Sequence, residues 1–296
     1  MRFYLFFFVM FVALSSTSQD IQDVEAQMAR LQKILSEEVS DQDKLNASDQ
    51  FEKLLLEAFE LEETFNHNFF SIPNVAKHLS KDGLFRMFNW NIPMADGTHV
   101  YRMYLLFPNG KYVRFEDSKE LRREEEGIVL KPEQWYGALY YDIREVKIKK
   151  KKYYVLIGWD GNDELTTKKV LDVLVVDKKQ KAFLGAPLFE TEEGLASRRV
   201  FEYANDAIMN LKWLEAKQMI IFDNLEPTQQ NLKDQYAFYG PSTTFGGYRW
   251  DGDFWKLEDN VDMSRPKGSE SAPQFNFPER PDFNRIRDKK NPLTGK

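Results

Sequence analysis

The side chains able to do chemistry are few, and their scarcity narrows the choice. The chain of 296 residues holds no cysteine and three histidines, His67, His78 and His99. Without cysteine there is no disulfide, thiolate nucleophile or Cys-ligated metal. Three histidines leave little for a His-based metal site, and no zincin motif occurs, so no metal centre is expected. No Gly-x-Ser-x-Gly elbow presents a serine nucleophile, and no histidine lies in the setting of a catalytic triad. A Gly-rich phosphate loop is missing too, and no cofactor is expected. The run Asp160-Gly161-Asn162-Asp163-Glu164 is rich in oxygen donors. It lacks the later glycine and distal acid of an EF-hand loop, and an Asp-Gly hairpin turn accounts for it.

Carboxylates and aromatic rings remain. Glycoside hydrolysis needs two facing carboxylates, a requirement that so many acids can meet by chance. Asp223 follows the apolar run 219–222; an aspartate at a strand exit usually caps a turn, and a catalytic role is the minority reading. The aromatics are more informative. Trp135, Tyr136, Tyr140, Tyr141, Tyr153 and Tyr154 cluster, as do Tyr236, Phe238, Tyr239, Phe245, Tyr248, Trp250, Phe254 and Trp255. The unit Trp-Asp-Gly occurs at 159–161 and again at 250–252, as two similar strand-to-turn corners. Exposed Tyr and Trp rings stack on sugars or pack on a protein partner. Alternation along strands sends about half of them into the core. The candidate ligand-binding residues are therefore Trp135, Tyr140, Trp159, Asp160, Asp223, Tyr239, Tyr248 and Trp250.

Positioning such residues requires a scaffold. Residues 20–39 read as a helix, with Ile21, Val24, Met28, Leu31 and Leu35 at steps of three and four. A second helix is expected from Ser48 or Asp49, with Phe51, Leu54, Leu55, Ala58, Leu61 and Phe65 on one face and 41–46 as a polar break before it. The second packs on the body; the first is expected to dock only loosely. From about residue 83 the pattern turns to strands. Asp-Gly or Asn-Gly pairs at 82–83, 96–97, 109–110, 160–161 and 251–252 mark tight turns. Between them short aromatic and β-branched runs predict strands at 84–90, 100–107, 111–115, 136–141, 153–159, 170–176, 182–189, 200–203, 209–214, 219–223, 236–239 and 254–257. Residues 116–132 read as a surface loop or short helix. The fold class is mainly β (α+β): an antiparallel β meander, as a sandwich, an open barrel or a propeller-like array, preceded by two amphipathic helices.

The two ends differ from the middle. Residues 3–14 are an uninterrupted apolar run behind Arg2, too short for a bilayer span of about 20 residues. The small residues Ser15 to Ser18 follow, so 1–18 reads as a signal peptide cut before Gln19. Export to the periplasm or the extracellular space is expected, with no transmembrane segment after cleavage. The remainder divides into a helical segment 19–65, a β-rich body 66–263 and a Pro-rich basic tail 264–296, mostly disordered. Residues 19–263 carry 32 basic and 43 acidic side chains, a net of −11, and the tail carries +4. An acidic body repels phosphate backbones, so nucleic acid is not an expected partner.

Nine motifs run in one order through residues 80–262: Lys81-Asp82-Gly83, Phe88-Asn89-Trp90, Trp135-Tyr136-Gly137-Ala138-Leu139-Tyr140-Tyr141, Leu156-Ile157-Gly158-Trp159-Asp160-Gly161-Asn162, Lys168-Lys169-Val170, Phe183-Leu184-Gly185-Ala186-Pro187-Leu188-Phe189, Arg199-Val200-Phe201-Glu202-Tyr203, Ile221-Phe222-Asp223-Asn224-Leu225-Glu226-Pro227 and Phe238-Tyr239-Gly240-Pro241. In these the chain resembles an uncharacterised family of exported proteins from Bacteroidota-type bacteria. The resemblance implies export and brings no reaction, ligand or catalytic residue. The chain departs from that pattern at Asn224, where the family commonly has histidine, and at Ser242, where it commonly has aspartate.

Together these readings favour a non-catalytic secreted or periplasmic binding or structural protein with an aromatic recognition surface, its partner a cell-envelope protein or a glycan. The competing class is a glycan-active hydrolase using two carboxylates, which an aromatic cleft holding both acids would favour.

Overall fold

A computed structural model describes residues 20–118 and 129–263. The expected signal peptide 1–18, the Pro-rich tail 264–296 and much of the polar stretch 116–132 lie outside the described residues. The chain divides at Val261, and everything below concerns the unit that ends there.

Two helices open the fold. Helix α1, Ile21–Leu35, starts at Asp20, whose carboxylate accepts from the Gln22 N–H at 3.2 Å. Helix α2, Asp41–Phe59, starts at Ser40: its hydroxyl oxygen accepts from the Asp43 N–H at 3.1 Å and its O–H donates to the Asp43 carboxylate at 2.6 Å. This reciprocal cap turns the supposed polar break 41–46 into the first turns of the helix. α1 is firmly docked rather than loose, since Ile21, Val24, Met28 and Leu35 are all buried.

Strands follow in the order β1 Ala76–Leu79, β2 Arg86–Pro93, β3 His99–Leu106, β4 Tyr112–Glu116, β5 Leu139–Ile148, β6 Lys151–Asp160, β7 Thr166–Val176, β8 Ala182–Leu184, β9 Phe189–Thr191, β10 Gly194–Ala196, β11 Arg198–Ala204, β12 Leu211–Leu214, β13 Met219–Pro227, β14 Tyr239–Trp250 and β15 Trp255–Glu258. They form three open sheets. The first runs β1-β2-β3-β4, the second β11-β7-β6-β5 with β8 on β7, and the third β10-β9-β15-β14-β13-β12. All pairings are antiparallel except β9 with β15. The fold is thus mainly β, with three antiparallel-rich sheets behind two helices, and it is not a closed barrel.

Side-chain alternation explains the stacking. On β2, Phe88, Trp90 and Ile92 face the helices, while Met87 faces the second sheet. On β6, Tyr154 and Leu156 face the first sheet, and Val155 and Ile157 face the third. The layers are therefore helices, first sheet, second sheet, third sheet, with a core in each gap. Each large side chain fully buried in these gaps contributes about 1.5–3 kcal/mol.

Strand punctuation served well at the hairpins and failed at one site. Gly83, Gly97, Gly110 and Gly252 take positive φ, as tight Asp-Gly and Asn-Gly turns require. At the fifth pair it is Asn162 that has φ 51°; Gly161 does not need positive φ but space, because a Cβ there would lie 2.1 Å from the His99 ring. The run 236–239 is a 3-10 turn at Tyr236–Phe238, after which the longest strand, β14, begins. Among the described residues no helix is long and apolar enough to cross a membrane.

Candidate functional site

The polar groups buried between the first and second sheets form one chain of contacts. Asn89, in the middle of β2, donates from Nδ2 to the carbonyls of Arg102 at 2.9 Å and Ala138 at 3.0 Å, and its Oδ1 accepts from the Tyr140 N–H at 2.6 Å. The Tyr140 hydroxyl donates to Asp172 at 2.6 Å and accepts from Trp135 Nε1 at 3.2 Å. Arg198 Nε donates to the other Asp172 oxygen at 2.5 Å, and the guanidinium lies 4.3 Å from the Tyr136 ring centre. Gly158 makes room for this, since a Cβ there would stand 2.7 Å from Tyr140 Cδ1. Burial, helped by the Asp172 charge, pushes the Tyr140 phenol well above its ordinary range and locks it as a donor. Burial opposes the Arg198 charge, but Asp172 beside it outweighs that and keeps the guanidinium protonated. Both Asp172 oxygens accept from internal donors, and the contacts of Asn89 with Ala138 and Tyr140 tie the first sheet to the second.

The acids predicted for the site are committed in the same way. Asp160 Oδ1 accepts from the Tyr101 hydroxyl at 2.9 Å and from the Asn162 N–H at 3.0 Å, while the Gly161 N–H donates back to Tyr101 at 2.8 Å. Asp160 therefore organises the hairpin turn. Asp223 lies within β13 at its register shift rather than at a strand exit, and it caps no turn: its Oδ2 accepts from the Asn210 N–H at 2.7 Å and from Asn210 Nδ2 at 2.9 Å, and its own N–H donates to the Asn210 carbonyl at 3.1 Å, a cross-strand contact just before β12. Among the described residues no three His, Asp or Glu side chains converge as a metal site.

The eight predicted residues do not share one cleft. Trp135 and Tyr140 lie in the core between the first two sheets, with Asp160 beside it under Tyr101. Asp223, Tyr239, Tyr248 and Trp250 belong to the third sheet. Trp135, Tyr140 and Tyr248 are buried and present no face to a ligand; the Tyr248 hydroxyl donates to the Glu190 carbonyl at 3.0 Å. The bland reading of those three, as core, is the one the packing supports. Tyr239 is half-buried and its hydroxyl accepts from the Asp234 N–H at 3.0 Å. Trp250 is half-buried against Trp255, with ring centres 5.4 Å apart.

Trp159 has a different setting. It is half-buried, edge-on to His99 at 5.0 Å, and paired across β6 and β7 with Lys169. Lys169 Nζ lies 4.7 Å from the centre of the Tyr141 ring. A register shift between Tyr140 and Asp142 makes this possible: Tyr140 points inward and Tyr141 outward, with 36% of its surface exposed. The Tyr141 hydroxyl donates to the Leu211 carbonyl at 2.6 Å, tying the second sheet to β12. On β12 the half-buried Trp213 carries the Arg144 guanidinium 5.1 Å from its ring centre, and Trp213 Nε1 donates to Glu215 at 2.5 Å. Tyr141 is thus linked through Lys169 to the Trp159 pair position and through Leu211 to the strand that carries Trp213; Tyr141 and Trp213 are each backed by a cation–π contact, while the Trp159 ring packs on His99 of the first sheet and Trp213 on Trp255. Sequence reasoning named Trp159 and placed Tyr141 in an aromatic cluster. It missed Trp213 and Arg144 and had Lys169 only within the motif 168–170; the signal for Trp213 is its place as the aromatic within the strand 209–214.

A scan against protein-family models finds no match to this chain, and a search of curated proteins finds no relative.

Proposed function

We propose that this is a non-catalytic, exported cell-envelope protein that binds glycan through the rings of Trp159, Tyr141 and Trp213. The observation that carries the reading is the contrast in surface rings and buried acids. The three rings stay partly exposed, with Tyr141 stiffened by Lys169 and Trp213 by Arg144. The buried carboxylates Asp160, Asp172 and Asp223 are each taken up by internal donors. Rigid aromatic faces stack on sugar rings at low entropic cost. Export rests on the expected leader 1–18, and the site of action is the periplasm or the extracellular space. A hydrolase using two carboxylates has less support, because acids already filled by donors are poorly placed to exchange protons with a substrate.

Electrophoresis through native gels cast with envelope polysaccharide tests the reading. Retarded migration without release of new reducing ends supports it. Release of reducing ends, lost on replacing Asp160 or Asp223, would move the assignment to hydrolysis.

A further inference from the structure

The loop between α2 and β1 holds a bulky residue in an unfavourable backbone conformation. Phe69 has φ 49°, and its ring is fully buried against Phe88 at 5.4 Å and His67 at 4.7 Å. Left-handed backbone at a bulky residue is strained and persists only where the surroundings over-determine it. Here they do. Glu25 of α1 accepts from the Ser71 N–H at 2.5 Å and pairs with His67 Nε2 at 2.6 Å. Gln32, two turns further along α1, accepts through its amide oxygen from the Asn74 N–H at 2.8 Å and the Val75 N–H at 3.1 Å. Lys77 Nζ donates to the carbonyls of Phe69 at 2.9 Å and Ile72 at 2.6 Å. The consequence is Phe70: with Phe69 turned in, Phe70 is turned out and is 83% exposed, the most exposed large apolar side chain among the described residues. A rigid loop that holds an aromatic ring in water has the form of a preorganised anchor.

A receptor of matching chemistry lies on the same outer layer. A groove of about 360 Å³ between α1 and α2 is lined by Leu31 and Leu54, with Gln27, Arg30, Gln50, Lys53 and Glu57 around it. At 100° per residue, Gln27, Arg30 and Leu31 lie on the flank of α1 opposite Glu25 and Gln32. Anchor and groove thus sit on either side of one helix. We propose that this face is a two-fold interface between copies of this chain, each Phe70 entering the α1–α2 groove of its partner. A rotation axis near α1 exchanges anchor and groove, the self-complementarity an isologous contact requires. Charge fits as well: the exposed Glu62 and Glu63 lead into the anchor loop, and the exposed Arg30 and Lys53 edge the groove, with no ion pair to any of the four among the described residues.

Sedimentation velocity on the purified chain across a concentration series tests this. The expected result is a reversible dimer. Phe70→Ser should weaken it by roughly tenfold or more, with an unchanged melting temperature because the ring is in water in the monomer. The double variant Arg30→Glu, Lys53→Glu should weaken it likewise, and combining it with Glu62→Lys, Glu63→Lys should restore it. A wild-type chain that stays monomeric, including one that instead captures a different protein, would overturn the proposal. So would Phe70→Ser dimerising as tightly as wild type.

Discussion

Asp172 on β7 and Arg198 on β11 stand directly opposite each other and meet at 2.5 Å with both side chains buried. Removing two charges from water costs several kcal/mol each, and the attraction returns this only when the remaining valences are filled. Tyr140 and the Tyr136 ring fill them here. The pair sits at the pairing of β11 on the margin of the second sheet.

Breaking one half of this pair should be far worse than removing both. Asp172→Asn leaves Arg198 charged in the core and should cost about 3–5 kcal/mol in urea unfolding. Asp172→Asn combined with Arg198→Met should lose clearly less. Equal losses would show that the two side chains act independently.

Gly158→Ala places a methyl 2.7 Å from Tyr140 Cδ1 and 2.9 Å from Val170 Cγ2. Tyr140 cannot swing aside without giving up Asp172. The expected cost is about 1–3 kcal/mol, read as a lowered thermal midpoint. An unchanged midpoint would mean that the two sheets have room to part.

Acid should loosen the contact between the β1–β2 turn and β6. Partial burial disfavours the Asp82 charge. Lys152 Nζ at 2.5 Å, Ser80, the Leu84 N–H and the Tyr154 hydroxyl outweigh that and hold the carboxyl at about 2. The folded value lies below the unfolded one, so the stabilisation is complete above about pH 4 and is lost as pH falls toward 2. After allowance for solvent screening it amounts to about 1 kcal/mol. Asp82→Asn should flatten the acid limb of the stability curve by that amount; an unaltered limb would assign the acid sensitivity elsewhere.

Sequencing the N-terminus of exported material should find Gln19 first, since Ser16 and Ser18 supply the small residues that cleavage requires. A chain beginning at Met1 in the membrane fraction would contradict export by a cleaved leader.

Much of the scaffold was legible because it follows local periodicity. The stripe of α1 and the Asp-Gly hairpins are properties of neighbouring residues. Glu25 and Gln32 could have been noticed on the same grounds, because each lies four residues after an apolar stripe position, Ile21 and Met28. β14 has no counterpart among the expected strands beyond 239, since Gly240, Pro241, Gly246 and Gly247 interrupt the apolar and β-branched run that marks a strand. Two of those glycines answer to packing instead: a Cβ at 246 would meet the Phe222 ring at 2.4 Å and one at 247 would meet Met219 Cε at 2.3 Å. The setting of the aromatic rings was illegible for another reason. Which face Tyr140 and Tyr141 take depends on a one-residue register shift, and the meeting of Arg144 with Trp213 depends on which sheets stack. Both are set by partners distant in sequence.

The most direct measurement of the central claim is calorimetric titration of envelope polysaccharide fragments into the wild-type chain and into the variant Trp159→Ala, Tyr141→Ala, Trp213→Ala, with thermal unfolding recorded in parallel. Base truncation of half-exposed rings should leave the variant folded, and each stacking ring contributes about 1 kcal/mol or more to binding. The expected result is saturable binding by wild type with the fragments recovered uncut, and at least a tenfold weaker affinity in a variant that still unfolds cooperatively. Equal affinity in the folded variant, or no binding by the wild-type chain, would contradict the account.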